Sequence, residues 1–149
     1  MGPERGVVRG DGPFYPVPGY PPGPPTAHRV EIWVGAMAPG ALDLIGRKAD
    51  GWIPAGGTSR IDEFAALAAR IDDAAQAAGR DPRSVRRIVN VMADATDGVE
   101  RWVERLTTWA IDLGVDAFIL WPPKPSTGMI ERLADELIPA VRAATAESD

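Results

Sequence analysis

The sequence contains no cysteine and a single histidine, His28. That excludes a disulfide framework, a thiol nucleophile and a Cys/His zinc site. Carboxylates alone can hold a metal, but none of the 21 acidic residues is spaced for it, so no metal is expected. Long apolar runs are also missing. Met1-Gly2-Pro3-Glu4-Arg5 is not the start of a secretory signal, and stretches such as Phe64 to Ala69 or Ala117 to Trp121 are far too short to cross a bilayer. The expectation is a cytoplasmic protein with no membrane partner. Clustered basic charge is the third absence: the 16 Lys and Arg residues are scattered and the net charge is −5. No nucleic-acid partner is expected, and any anionic ligand must be held locally.

What is present falls into two regimes. Of the 31 Gly and Pro residues (16 plus 15), 14 lie among the first 30 residues and 17 among the other 119. Residues 1–29, with Pro16, Pro18, Pro21, Pro22, Pro24 and Pro25, read as an extended, irregular arm. Residues 30–149 have the composition of a chain that buries a core, with 45% apolar and 25% charged residues overall, and the length suits one domain. A buried strand is predicted through Val30, Ile32, Trp33 and Val34, ending at Gly35. A helix with Pro39 in its first turn and a short strand at Trp52 and Ile53 follow.

The second helix carries Phe64, Leu67, Ala68, Ile71, Ala75 and Ala78 at spacings of three and four, with Ser59 as N-cap and Gly79 as stop. A third strand runs from Arg87 to Ala93. The third helix presents Val99, Trp102, Val103, Leu106, Trp109 and Leu113 on one face, between an Asp97 cap and Gly114. The fourth strand is Ala117 to Trp121, and a last helix carries Ile130, Leu133, Leu137 and Val141.

This βαβαβαβα order implies an α/β fold with a parallel sheet and right-handed crossovers, either doubly wound or a piece of a β/α barrel. Gly35-Ala36-Met37-Ala38-Pro39-Gly40 lacks the spacing of a dinucleotide turn, and Asp50 precedes its strand instead of ending it. A Walker loop fails as well, since no Lys-Ser/Thr follows Gly40.

A run of motifs carries a resemblance. Tyr20-Pro-Pro-Gly-Pro-Pro-Thr-Ala-His28, Ile32-Trp-Val-Gly-Ala36, Gly46-Arg-Lys-Ala-Asp-Gly-Trp-Ile-Pro54, Ala78-Gly-Arg-Asp-Pro82, Phe118-Ile-Leu-Trp121 and Glu136-Leu-Ile-Pro-Ala-Val-Arg142 together resemble the bacterial luciferase-like flavin or deazaflavin oxidoreductases. The resemblance implies a partial (β/α)8 TIM barrel: four βα units with a Pro/Gly-rich N-terminal arm, amounting to a C-terminal half, since full barrels take about 250 residues. It implies FMN or deazaflavin F420 as cofactor and a small organic substrate. It also places the cofactor phosphate on Gly35, Ala36, Met37, Ala38, Pro39 and Gly40, where a strand end meets a helix start. The chain departs from the family pattern at Ala38, where many relatives have Gly, and at Gly40, where many have Arg.

Other residues admit two readings. Gly56-Gly57-Thr58-Ser59 is an anion cradle or a flexible connection ending in a cap; Asn90 is a ligand contact in a barrel lumen or a satisfied core group. Lys124 steadies an anion or is simply solvated, and His28 lacks a partner in motif spacing. Trp102 and Trp109, seven apart, belong to a helix core, whereas Trp121 stands at a strand's C-terminal end, where barrel sites sit. No catalytic acid–base pair is legible, so the isolated chain is expected not to turn over substrate. The rival reading is a non-catalytic half-barrel remnant or assembly module. A half-barrel with two unpaired edges is further expected to form a homo-oligomer, unless the arm with Phe14, Tyr15 and Tyr20 shields its opening.

Overall fold

Proline alternating with small residues favours extended backbone, and in the computed structural model this segment is a hairpin. The structure describes residues 6–21, 23–24, 26–54, 61–92, 98–121 and 127–146. The chain divides into two units, Met1–Val30 and Glu31–Asp149. In the first, β1 (Val8–Asp11) pairs antiparallel with β2 (Pro16–Tyr20), with Val8 opposite Tyr20 and Asp11 opposite Pro16. The irregular arm expected from composition is therefore partly ordered. A two-stranded ribbon has a free side on each strand, so the donor missing at Pro16 and Pro18 need not be one the ladder uses. Gly19 sits at φ 132°, and a Cβ there would lie 2.9 Å from Val7 Cγ1.

The second unit contains four successive βα units. Its parallel sheet has the order β3-β4-β5-β6, formed by Trp33–Gly35, Gly51–Ile53, Arg86–Met92 and Ala117–Trp121. Sequential order without a switch point is the order of strands around a barrel. With four strands among the described residues and both edges of that sheet unpaired there, this is a partial (β/α)8 barrel. The first strand is shorter than the apolar run predicts: only Trp33, Val34 and Gly35 pair, with Gly51, Trp52 and Ile53. Ahead of them Ile32 is tied by its N–H to Asp50 Oδ2 at 2.9 Å.

Helix α1 (Pro39–Lys48) and α2 (Phe64–Ala77) pack closely at Gly46, where an added Cβ would come within 2.8 Å of Ala74 Cβ and 2.9 Å of Ala75 N. The expected Ser59 cap lies outside the described residues, and α2 follows a 3-10 turn at 61–63. The stop at Gly79 is a Schellman turn: Gly79 has φ 70°, its N–H reaches Gln76 O, and Arg80 N–H reaches Ala75 O. Arg80 then donates to Gly46 O at 2.8 Å and Ala49 O at 2.9 Å, satisfying the last carbonyls of α1. Asp81 accepts from Arg83 N–H and caps the 3-10 turn Pro82–Ser84. The Ala78-Gly-Arg-Asp-Pro82 motif is therefore a structural joint.

Helix α3 (Val99–Leu113) ends at Gly114 in the left-handed region, φ 64°; Asp97, expected to cap it, lies outside the described residues. The last helix is interrupted. Between α4 (Thr127–Arg132) and α5 (Ile138–Ala146), Leu133–Leu137 forms a π-helical turn in which Ile138 N–H bonds Leu133 O. Pro139 lacks an N–H and its ring would crowd the carbonyl four residues back, so widening the preceding turn removes the conflict.

Alternation along the strands separates two faces. Val34, Trp52, Val89, Val91, Phe118 and Leu120 point into the core beneath the helices, with Leu42, Ile45, Phe64, Ile71, Trp102 and Leu106. On this side Trp52 lies 4.9 Å from Phe64, and Arg87 pairs with Asp72. Trp33, Gly51, Ile88, Asn90, Met92, Ile119 and Trp121 occupy the other face, which corresponds to a barrel interior.

Candidate functional site

The C-terminal ends of the strands are where a β/α barrel builds its sites, because loops and helix N-termini meet there. After β3 the chain turns through Ala36 and Met37 to Ala38, which holds the N-cap position of α1 with φ −67° and ψ 138° and provides no side-chain cap. Pro39 follows in the first turn, pre-set for the helix. Ala41 and Leu42 donate to Ala38 O at 2.9 and 3.0 Å. Among the described residues the amides of Met37, Ala38 and Gly40 meet no acceptor. A Cβ on Gly40 would touch nothing within 4 Å, so the space around this amide is open. Exposed N–H groups and the positive end of a ten-residue helix thus face the same opening.

Trp52 fixes the turn from below. Its indole is fully buried and its Nε1 donates to Ala36 O at 2.8 Å, aiming that carbonyl into the protein. Sequence pattern places Trp52 in a short strand and does not show its bond to the turn. The available signal was that a buried indole needs an acceptor, and a three-residue strand has few to offer.

Arg70 of α2 flanks the same helix start, donating from Nε to Pro39 O at 3.2 Å and engaging both carboxylate oxygens of Asp43 at 2.8 and 2.9 Å. This bidentate hydrogen bond holds the Asp43 carboxyl below its ordinary value and raises Arg70. No pattern in the sequence pointed to Arg70, since its relation to α1 arises only from helix packing.

On the open face, the structure brings together two residues that the sequence offered separately. Trp121 Nε1 donates to Asn90 Oδ1 at 3.0 Å, across the β5–β6 pair in which Asn90 stands beside Ile119 and Met92 beside Trp121. Trp121 is half exposed and Met92 more so. At the opposite end of this face Trp33 lies over Gly51, whose Cβ would sit 2.7 Å from Trp33 Cδ1 and 3.0 Å from Ile88 Cδ1. Trp33 Nε1 is held by Glu31 at 2.7 Å, and Arg86 stands 5.6 Å from its ring. The strand-start end is thus partly covered by Trp33, itself 41% exposed, and the strand-finish end is more open.

The remaining candidates do not join this group. Trp102 and Trp109 pack in the α3 core, with Arg105 3.8 Å over the Trp102 ring. His28 is exposed in the N-terminal unit. Lys124 and Gly56-Gly57-Thr58-Ser59 lie outside the described residues. Among the described residues no group of three or more His, Asp or Glu side chains is placed to hold a metal, and no helix is long and apolar enough to cross a membrane.

The strand order and the strand ends that open beside a helix start are those of part of a β/α barrel. The luciferase-like monooxygenase family profile matches residues 4–147, and the chain belongs to that family. No curated protein matches it. Among solved structures, the chain is similar to an F420-dependent secondary alcohol dehydrogenase in complex with an F420-acetone adduct, at TM-score 0.67 and 16% identity over 92% of this chain and 56% of that one. DmoA from Hyphomicrobium sulfonivorans gives 0.66 and 15%, over 91% and 46%. A riboflavin lyase, RcaE, with modified FMN and riboflavin gives 0.67 and 11%, over 92% and 48%. The chain spans about half the length of these solved relatives.

Proposed function

We propose that Gly35, Ala36, Met37, Ala38, Pro39 and Gly40 bind the phosphate of FMN or deazaflavin F420, and that the chain serves a luciferase-like oxidoreductase of the monooxygenase type acting on a small organic substrate. The observation that carries this reading is the α1 start, where free amides, an uncapped dipole and open space at Gly40 coincide. The fit is through backbone: the nearby Arg70 already serves Asp43, so amides instead of a cationic side chain would take the anion. Family membership and solved relatives described with F420 or FMN support the choice of ligand. When bound, such a cofactor supplies hydride or oxygen chemistry, and the protein orients it. Within this chain Trp52 holds the turn in its binding shape, and Asn90 holds the Trp121 indole at the open ends of the strands.

Calorimetric titration with FMN, riboflavin and F420 tests the assignment. A phosphate site predicts that FMN or F420 binds at least about tenfold more tightly than riboflavin, a difference of about 1.4 kcal/mol. It also predicts that Ala36→Glu and Gly40→Glu abolish the difference. Gly40→Glu is the cleaner variant, because its side chain enters open space and a first-turn acid favours the helix. Equal binding of phosphorylated and unphosphorylated ligands, or indifference to both variants, overturns it.

A further inference from the structure

We propose that Arg70, on α2, is a positioning residue for the anion site at the α1 start: its guanidinium splints the first turn of α1 from the side, so that the amides of Met37, Ala38 and Gly40 keep the directions an anion requires. The inference rests on the phosphate site proposed above and goes beyond it by naming what holds that site in shape.

The first turn of α1 has little of its own to keep it formed. Ala38 supplies no side-chain cap, the turn carries no acidic residue, and Gly40 stands second in the helix, where glycine is a weak helix former. The turn closes on one carbonyl, Ala38 O, which receives the N–H groups of Ala41 and Leu42. A helix end of this kind frays unless tertiary contacts hold it. Amides in a frayed turn point in many directions, and an anion that binds them must first order them, which weakens its affinity.

Two side chains from other elements supply the order. Trp52 Nε1 holds Ala36 O on the strand side, and Arg70 holds the helix side. Arg70 Nε is shared between Pro39 O at 3.2 Å and Asp43 Oδ1 at 2.8 Å, while Nη2 reaches Asp43 Oδ2 at 2.9 Å. Pro39 opens the helix and Asp43 stands four residues on, its neighbour on the same side one turn later. One planar fork therefore ties the first turn to the second. A guanidinium can do this because its donors are fixed in a plane; the single ammonium of a lysine cannot. The base of the splint is firm as well, since α2 meets α1 at Gly46, where an added Cβ would come within 2.9 Å of Ala75 N. Asp43 neutralises the charge, so what Arg70 gives the site is orientation and not attraction. All of these contacts lie between two consecutive helices on the covered side of the sheet.

Calorimetric titration of the full chain with FMN, F420 and riboflavin, for the wild type, Arg70→Lys and Arg70→Ala, is the test, with hydrogen exchange at the Ala41 and Leu42 amides as a second readout. Both variants should fold, because the Arg70–Asp43 pair is exposed. The preference for the phosphorylated ligand over riboflavin should fall about fivefold in both variants, with riboflavin affinity unchanged. The Ala41 and Leu42 amides should exchange faster in both, with no ligand present. A wild type without any preference overturns the phosphate site and this inference with it. A wild type with the preference, and variants that keep it, overturns the role of Arg70 alone. Rescue by lysine, or a lost preference with unchanged exchange, also overturns it, because Arg70 would then act as a charge. So does an equal loss for all three ligands, which would make Arg70 a structural residue only.

Discussion

Side chains on the helix-covered face of the sheet interlock, with Val34, Trp52, Val89, Val91, Phe118 and Leu120 meeting apolar residues from the helices above. On the opposite face Trp33 and the buried Ile88 sit around Gly51 at one end, while Met92 and Trp121 are more exposed at the other, beside the half-buried Asn90. The same four strands therefore hold one surface that stabilises the unit and one that is available to bind. Tryptophan marks the difference: Trp52 is fully buried, Trp121 is half exposed, and each indole N–H has an acceptor.

Substituting both tryptophans breaks the comparison most forcefully. Trp52→Ala should cost about 3–5 kcal/mol in urea unfolding, as buried aromatic truncations do, and Trp121→Ala about 1 kcal/mol or less. Similar losses at both sites would mean that the faces are not distinct. Gly46→Ala should cost about 1–3 kcal/mol, because its methyl meets backbone of α2 that cannot yield easily. Trp52→Phe keeps an aromatic ring but removes the pyrrole half of the indole, and with it the donor to Ala36 O. It should cost about 1–3 kcal/mol, less than Trp52→Ala, and also weaken FMN binding, because the turn loses its anchor.

The smallest effect concerns pH. The Asp43 carboxyl lies below its ordinary value of 3.8 because Arg70 hydrogen-bonds it. A lowered carboxylate contributes stability that is fully present above the unfolded value and is lost as pH falls through the folded one. Acid titration of the wild type should therefore show this contribution fading below about pH 4, and Asp43→Asn should remove that part of the acid limb. The pair is exposed, so the change is small.

Much of the covered face was legible from local pattern. The strand Ala117–Trp121 and the stops at Gly79 and Gly114 follow from apolar runs and glycine's freedom at positive φ, and these need no tertiary information. The hairpin in the arm was not legible, because proline composition reports extended backbone but not whether two extended segments pair. Neither was the π turn before Pro139, which depends on helix continuity across the proline.

The motifs that carried the family resemblance prove to be largely joints: Gly46 lets two helices approach, Asp50 ties Ile32, Gly51 admits Trp33, and Arg80 closes α1. Their residues sit far apart in sequence and act in pairs. A single chain read from one end shows the members and not the pairing. For the candidate site, the segment Gly35–Gly40 was visible as a strand-to-helix turn. The contributions of Trp52 and Arg70 come from elements 16 and 31 residues away, and the Asn90–Trp121 bond depends on strand register.

The account's central claim is that the α1 start is an anion site built from backbone amides. Nitrogen-15 correlation spectra of the labelled chain, recorded during parallel titrations with FMN, F420 and riboflavin, test it residue by residue. The account predicts that the amides of Met37, Ala38 and Gly40 shift with FMN or F420 and stay in place with riboflavin. Shifts that are the same for all three ligands, or that fall elsewhere while these amides stay still, would contradict it.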